Sequence, residues 1–141
     1  MNLKRDFYKG LTNDVRYIRE KVFVEEQGFQ NEFDEIDDKA THLIITDNGK
    51  AVATGRLFIS NTKENVYTIG RVAVLLEYRN LNLGNKVLEF LEEKAKEEGS
   101  HKIELSAQCE VQRFYEKNGY IAKGDIYYDE FCPHIQMEKI L

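Results

Sequence analysis

Proline is nearly missing from this chain, tryptophan is absent, and cysteine occurs only twice. One proline and nine glycines in 141 residues exclude long Pro- or Gly-rich linkers and low-complexity segments. Cys109 and Cys132 are too few for a disulfide framework. The N-terminus MNLKRDFYKG turns polar too early for a secretory signal, so reduced thiols and a cytoplasmic location are expected. No stretch approaches the roughly eighteen apolar residues of a membrane span, and no membrane partner is expected. Positive charge is short as well: 20 Lys and Arg face 25 Asp and Glu, a formal net charge of −5 that argues against a nucleic-acid partner. Neither G-x-G-x-x-G nor G-x-x-x-x-G-K-[ST] occurs, which removes two common nucleotide-binding turns. His42, His101 and His134 lack zinc-type spacing, and DEIDD at 34–38 lacks the spacing and glycine of a calcium loop, so no metal is expected. DEIDD reads instead as a solvated acidic loop able to attract cationic amines.

What is present is an ordinary globular composition, 42% hydrophobic and 11% aromatic, in a length suited to one domain spanning 1–141. Residues 3 to 8 read as a short strand. Val15, Ile18 and Val22 repeat at helical spacing from Thr12, a plausible N-cap, to about Val24. The acidic stretch 25–39 reads as irregular or only partly helical. THLIITDNGK, AVATGRLFIS and NVYTIGRVAVL read as an antiparallel three-stranded meander over 41–75. Leu83, Val87, Leu88, Leu91 and Ala95 form one face of a helix over 83–98, with Gly99 at its C-terminal stop. KIELSAQ is a strand, VQRFYEKNG a short helix, and YIAKGDIYY and HIQMEKIL are two closing strands. The fold class is mixed α/β (α+β).

The junction Arg79-Asn80-Leu81-Asn82-Leu83-Gly84 hands a strand over to a helix. The first N–H groups of that helix lack partners and carry partial positive charge, so the spot attracts anions. Gly and Asn tolerate the left-handed backbone that lets a chain wrap a phosphate, and Arg79 adds a fixed charge. A solvated connection capped by asparagines is the plainer alternative.

The stretch RVAVLLEYRNLNLGNKVLEFLEEKA resembles the acetyl-CoA-binding segment of the GNAT superfamily of N-acetyltransferases, whose signature is Q/R-x-x-G-x-G/A. Asn82 replaces the first glycine of that pattern. VFVEEQ (22–27), EIDD (35–38), THL (41–43), RVAV (71–74), LSAQ (105–108), FYEKNGY (114–120) and PHIQM (133–137) are similar, in the same order, to ElaA-like members. The chain departs from that subgroup at Gln30, where proline is usual, and at Phe131, where glycine is usual. Both departures are expected to bear first on the acceptor side.

The resemblance implies a single-domain GNAT fold, a mixed and mostly antiparallel central sheet flanked by helices. It implies acetyl-CoA as cosubstrate, held by Val72, Ala73 and Val74, by Arg79, Asn80, Leu81, Asn82, Leu83, Gly84 and Asn85, and by Gln108. The strand 72–74 would splay from its neighbour, and the Val74 N–H would meet the thioester oxygen. Tyr115 would be the general acid that protonates the departing thiolate; read from spacing alone, it belongs with Val111 and Phe114 to the core face of a short helix. Glu26 and His134 are candidate bases, with a bound water as the alternative and a structural role open for His134. Arg71, expected on the same strand face as Tyr67 and Ile69, could hold a substrate anion or pair with the acidic loop. Glu25 could line the acceptor site. The activity implied is transfer of acetyl to the primary amine of a small molecule. A protein lysine or N-terminus as acceptor, and a non-catalytic acyl-CoA-binding module, are the alternatives. Exposed strand edges make a homodimer a possible assembly.

Overall fold

The computed structural model describes residues 1–141. Seven strands form one sheet: β1 (Leu3–Lys9), β2 (Thr41–Asp47), β3 (Lys50–Asn61), β4 (Val66–Val74), β5 (Lys102–Gln108), β6 (Ile121–Asp129) and β7 (Cys132–Ile140). Their order is β1-β2-β3-β4-β5-β7-β6. Every pairing is antiparallel except β4 with β5. No helix is long and apolar enough to cross a membrane.

Helix α1 (Asn13–Arg19) opens as the sequence implies: the Thr12 hydroxyl accepts from the Val15 N–H at 3.2 Å. The helix does not simply run on to Val24. Residues Glu20–Glu26 widen into π-helical turns, with the Gln27 N–H bonded to the Val22 carbonyl at 3.1 Å. Such turns recur at functional sites. Val15, Ile18, Val22 and Phe23 pack with Ile44, Ala73 and Leu75 on one face of the sheet.

The other face carries α2 (Leu83–Glu97) and α3 (Gln112–Lys117). Leu83, Val87, Leu88 and Leu91 are at most 1% exposed, each contributing about 1.5–3 kcal/mol by burial. The helix sits close against β3 because Gly55 has no side chain. A Cβ there would lie 2.8 Å from both the Leu91 Cδ1 and the Val87 Cγ1. Gly99 ends α2 at φ +92°, the left-handed stop expected of it.

The acidic loop is solvated only in part: Asp34, Glu35 and Asp38 are exposed as the sequence predicts, but Asp37 is not. A 3-10 turn, Glu35–Asp38, buries Asp37 completely. The Asp37 carboxylate accepts from Arg19 Nη1 at 2.6 Å and from Arg56 Nη1 at 2.8 Å. Asp34 accepts from Arg56 at 2.8 Å, and Glu32 accepts from Arg19 Nε at 2.8 Å. Three arginines, one of them Arg71, thus neutralise three carboxylates beneath the loop. Burial pushes the neighbouring His42 down, and its Nε2–H donates to the Asp37 carbonyl at 2.9 Å.

Candidate active site

Strands β4 and β5 pair only from Val66–Lys102 to Thr68–Glu104 and then separate. The cause lies in β4. Arg56 pairs with Gly70 and Thr54 with Ala73, so β4 carries one residue too many between these points. Arg71 sits in this bulge at φ +53°. The extra residue inverts the alternation. Tyr67 and Ile69 pack toward α2, but Ala73 packs toward α1, and Arg71 turns to Glu32 on the α1 side. The expectation that Arg71 shares a face with Tyr67 and Ile69 therefore fails. Of the two roles open for Arg71, the ion pair is the one formed: its Nε lies 3.0 Å from the Glu32 carboxylate and its Nη2 3.5 Å from Asp34.

Beyond the bulge the Leu75 N–H bonds to Val52 of β3 at 2.9 Å. The Val74 peptide, one step earlier, consequently faces the gap. A cleft of about 990 Å³ opens there, lined by Val72 to Val74, Arg79, Asn80, Asn82 to Asn85 and Gln108. Leu81, assigned to the same group from sequence, does not line it; its side chain is 44% exposed to solvent. Asn82 takes the left-handed conformation, φ 68° and ψ 16°, directly before α2. That geometry turns the first free N–H groups of α2 into the cleft. Asn85 bonds to the Asn82 side chain and accepts from Asn118 Nδ2 at 2.8 Å, which braces the turn. Gly84 packs closely, since a Cβ there would stand 3.1 Å from the Phe114 ring, tight enough that the ring would have to shift by a few tenths of an ångström. An unpaired strand edge and a row of free N–H groups fit a pantetheine arm and a pyrophosphate.

Arg79 spans the mouth of this cleft. Its Nη atoms both lie 2.6 Å from Glu26 carboxylate oxygens, and its Nε donates to the Val74 carbonyl at 3.0 Å. The guanidinium holds the Glu26 carboxyl below the usual range. Glu26 was a candidate base; with both oxygens engaged and its basicity lowered, it is poorly suited to take a proton. Glu25 is also displaced from its expected place. It pairs with Lys21 at 3.2 Å and lines a separate surface hollow instead of the cleft.

A second, smaller cavity of about 160 Å³ adjoins the first. Gln27, Phe29, Val72, Gln108, Val111 and Tyr115 line both. Tyr115 is buried at this seam, edge-on to Phe114 at 5.0 Å and to Tyr120 at 5.9 Å. Burial pushes its hydroxyl up to about 12, so it stays protonated at neutral pH. His134 lines only the smaller cavity and is 7% exposed. Its Nδ1 lies 3.0 Å from the Cys132 carbonyl, which can only accept. The neutral ring is therefore protonated at Nδ1, leaving a lone pair at Nε2. Tyr127 stacks on the ring at 6.1 Å.

Sequence reasoning missed Gln27, Ser106, Asp129 and Glu130, all of which line the smaller cavity. A signal for Gln27 existed: VFVEEQ and LSAQ end on Gln27 and Gln108, whose side chains bond at 2.8 Å. The two departures, Gln30 and Phe131, take part in two adjacent contacts between the same segments. Gln30 donates its backbone N–H, which proline lacks, to Glu130 at 3.1 Å. Phe131 stacks on Phe29 at 5.1 Å through a ring that glycine lacks.

A parallel strand pair that splays beside a helix N-terminus, with a buried tyrosine at the seam, defines an acyl-transferring α/β enzyme. Comparison with known proteins agrees. Residues 12–141 match the acetyltransferase (GNAT) domain family. The chain is 33% identical over 129 residues to the uncharacterized N-acetyltransferase YjcF of Bacillus subtilis, covering 89% of this chain and 90% of that protein. An acyl-CoA N-acyltransferase from Pseudomonas aeruginosa superposes with a TM-score of 0.85 at 27% identity, over 98% of this chain and 99% of that one. Escherichia coli ElaA superposes at 0.86 and 24% identity, over 97% and 99%. The chain belongs to the GNAT acetyltransferase family.

Proposed function

We propose that residues 1–141 form one N-acetyltransferase domain that moves acetyl from acetyl-CoA to the primary amine of a small molecule. The observation that carries this reading is the meeting of two cavities of unequal size at Tyr115. The larger suits the cosubstrate, which supplies the activated acetyl group as a thioester. The smaller suits an amine; its narrowness favours a small acceptor over a folded protein surface. His134 Nε2 accepts the proton released as the amine nitrogen bonds to the acetyl carbon. The Val74 N–H, facing the gap, donates to the carbonyl oxygen where charge develops. As the carbon–sulfur bond breaks, the Tyr115 hydroxyl protonates the thiolate.

The test is incubation with acetyl-CoA and a panel of primary amines, with free thiol as readout and the acetylated amine identified by mass. Amine-dependent thiol release is the expected result. Tight acetyl-CoA binding without release for any amine would favour a non-catalytic acyl-CoA-binding module instead.

A further inference from the structure

The smaller cavity is lined by three carboxylates, Glu32, Asp129 and Glu130, against one arginine. Its rim joins two segments distant in sequence. The Glu130 carboxylate, at the tip of the β6–β7 hairpin, accepts from the Gln30 N–H at 3.1 and 3.3 Å and from the Asn31 N–H at 3.1 Å. Beside it Phe131 stacks on Phe29, with the ring planes 28° apart. Phe29 lines both cavities and Phe131 the larger one, so this stack borders the place where the two join.

The charges beneath are unequal. Arg71 is the sole cation lining the cavity, and it is spent on Glu32 and Asp34. Glu32 is further engaged by Arg19. Glu130 is held by backbone N–H groups, which do not cancel its charge. Asp129 lines the cavity and forms no ion pair. Buried His134, its Nε2 lone pair without a partner in the chain, faces the same space. A carboxylate on the acceptor would meet Asp129 and Glu130 with no free cation to receive it. An ammonium would be attracted.

Resting on the acetyltransferase reading above, we propose that the acceptor is an unbranched amine carrying a second cationic group and no acid group. The distal cation lies at Asp129, and the amine to be acetylated lies between His134 and Tyr115. The second charge matters chemically. It lets the acidic lining bind the substrate through a group that stays protonated, while the reacting nitrogen loses its proton to His134.

The experiment compares three amines of equal length, butane-1,4-diamine, butylamine and 4-aminobutanoate, at saturating acetyl-CoA. The expected kcat/KM for the diamine exceeds that for butylamine about two- to fivefold, the effect of one ion pair at an exposed carboxylate. 4-Aminobutanoate should fall below butylamine. Asp129→Asn should bring the ratio of the diamine and butylamine kcat/KM values down to about one. Phe131→Gly, at an exposed position, should raise the use of cyclohexylmethylamine relative to butylamine by removing the ring stacked on Phe29 where the two cavities join. Turnover of 4-aminobutanoate as fast as the diamine, or a diamine preference that survives Asp129→Asn, overturns the proposal while leaving acetyl transfer standing. Thiol release with none of the four amines would overturn the proposal, and its absence across the wider amine panel would overturn the acetyltransferase reading as well.

Discussion

Replacing Tyr115 by Phe separates chemistry from packing. The ring stays between Phe114 and Tyr120, and the hydroxyl makes no hydrogen bond within the chain. The cost to stability should therefore stay under about 1 kcal/mol, a shift of a few degrees in Tm for a domain of this size. Loss of the proton donor should lower kcat by ~10²- to 10⁴-fold, about 2.7–5.4 kcal/mol of barrier at 1.36 kcal/mol per decade. The apparent KM for acetyl-CoA should hardly move, because the interaction forms mainly in the transition state. The pH profile adds a second reading. A hydroxyl pushed up to about 12 remains protonated from pH 6 to pH 10, so Tyr115 cannot produce an alkaline limb in that range, and the variant should keep the wild-type profile at a lower rate. Thermal unfolding, acetyl-CoA binding and steady-state thiol release measure the three quantities. If activity survives within a few-fold, water protonates the thiolate and Tyr115 is a packing residue.

Three further outcomes are expected. Asn82→Gly should preserve acetyl-CoA affinity, because glycine takes φ 68° freely, whereas Asn82→Val should weaken it by about tenfold or more through a strained turn; equal affinities by calorimetry would show that the left-handed geometry is irrelevant. Glu26→Gln should retain turnover and tighten acetyl-CoA binding, since it frees the Arg79 guanidinium for phosphate; loss of kcat at unchanged affinity would restore Glu26 as the base. Burial alone would push the Asp37 carboxyl up, but hydrogen bonds from Arg19, the Asp34 N–H and Arg56 outweigh it and hold the group far below its ordinary value. A depressed folded-state pKa stabilises the protein above the unfolded value of about 3.9 and ceases to as pH falls toward the folded one. Tm should thus be insensitive to Asp37 between pH 8 and pH 5 and drop below about pH 4. Asp37→Asn, which leaves Arg19 with Glu32 and Arg56 with Asp34 as their remaining carboxylates, should cost about 1–3 kcal/mol at pH 7 and flatten that acid limb; an unchanged acid limb in the variant would sink this account.

The parts of the structure legible from sequence are those set by neighbours in the chain. Helix α2 follows from the repeat Leu83, Val87, Leu88, Leu91, Ala95, and its start from an asparagine that tolerates a left-handed turn. The meander β2–β4 follows from alternation and from the Asn48-Gly49 turn, where both residues have positive φ. What escaped is set by partners far away in sequence. Arg79 and Glu26 are 53 positions apart, and Arg71 and Glu32 are 39. No periodicity marks either pair.

The bulge at Arg71 shows how one local irregularity redirects a site. Alternation read through β4 as an unbroken pleat puts Arg71 with Tyr67 and Ile69, where it would be free to hold a substrate anion. One extra residue at φ +53° sends it to the other side. There it neutralises Glu32 and leaves Asp129 without a counter-charge in the cavity. The same extra residue ends the pairing of β4 with β5 and opens the gap faced by Val74. Access to a thioester and the charge offered to an acceptor therefore share one cause in the backbone. A change that removed the bulge would alter both together, whereas a change at Glu32 would release the Arg71 guanidinium from its nearer carboxylate and alter the charge alone.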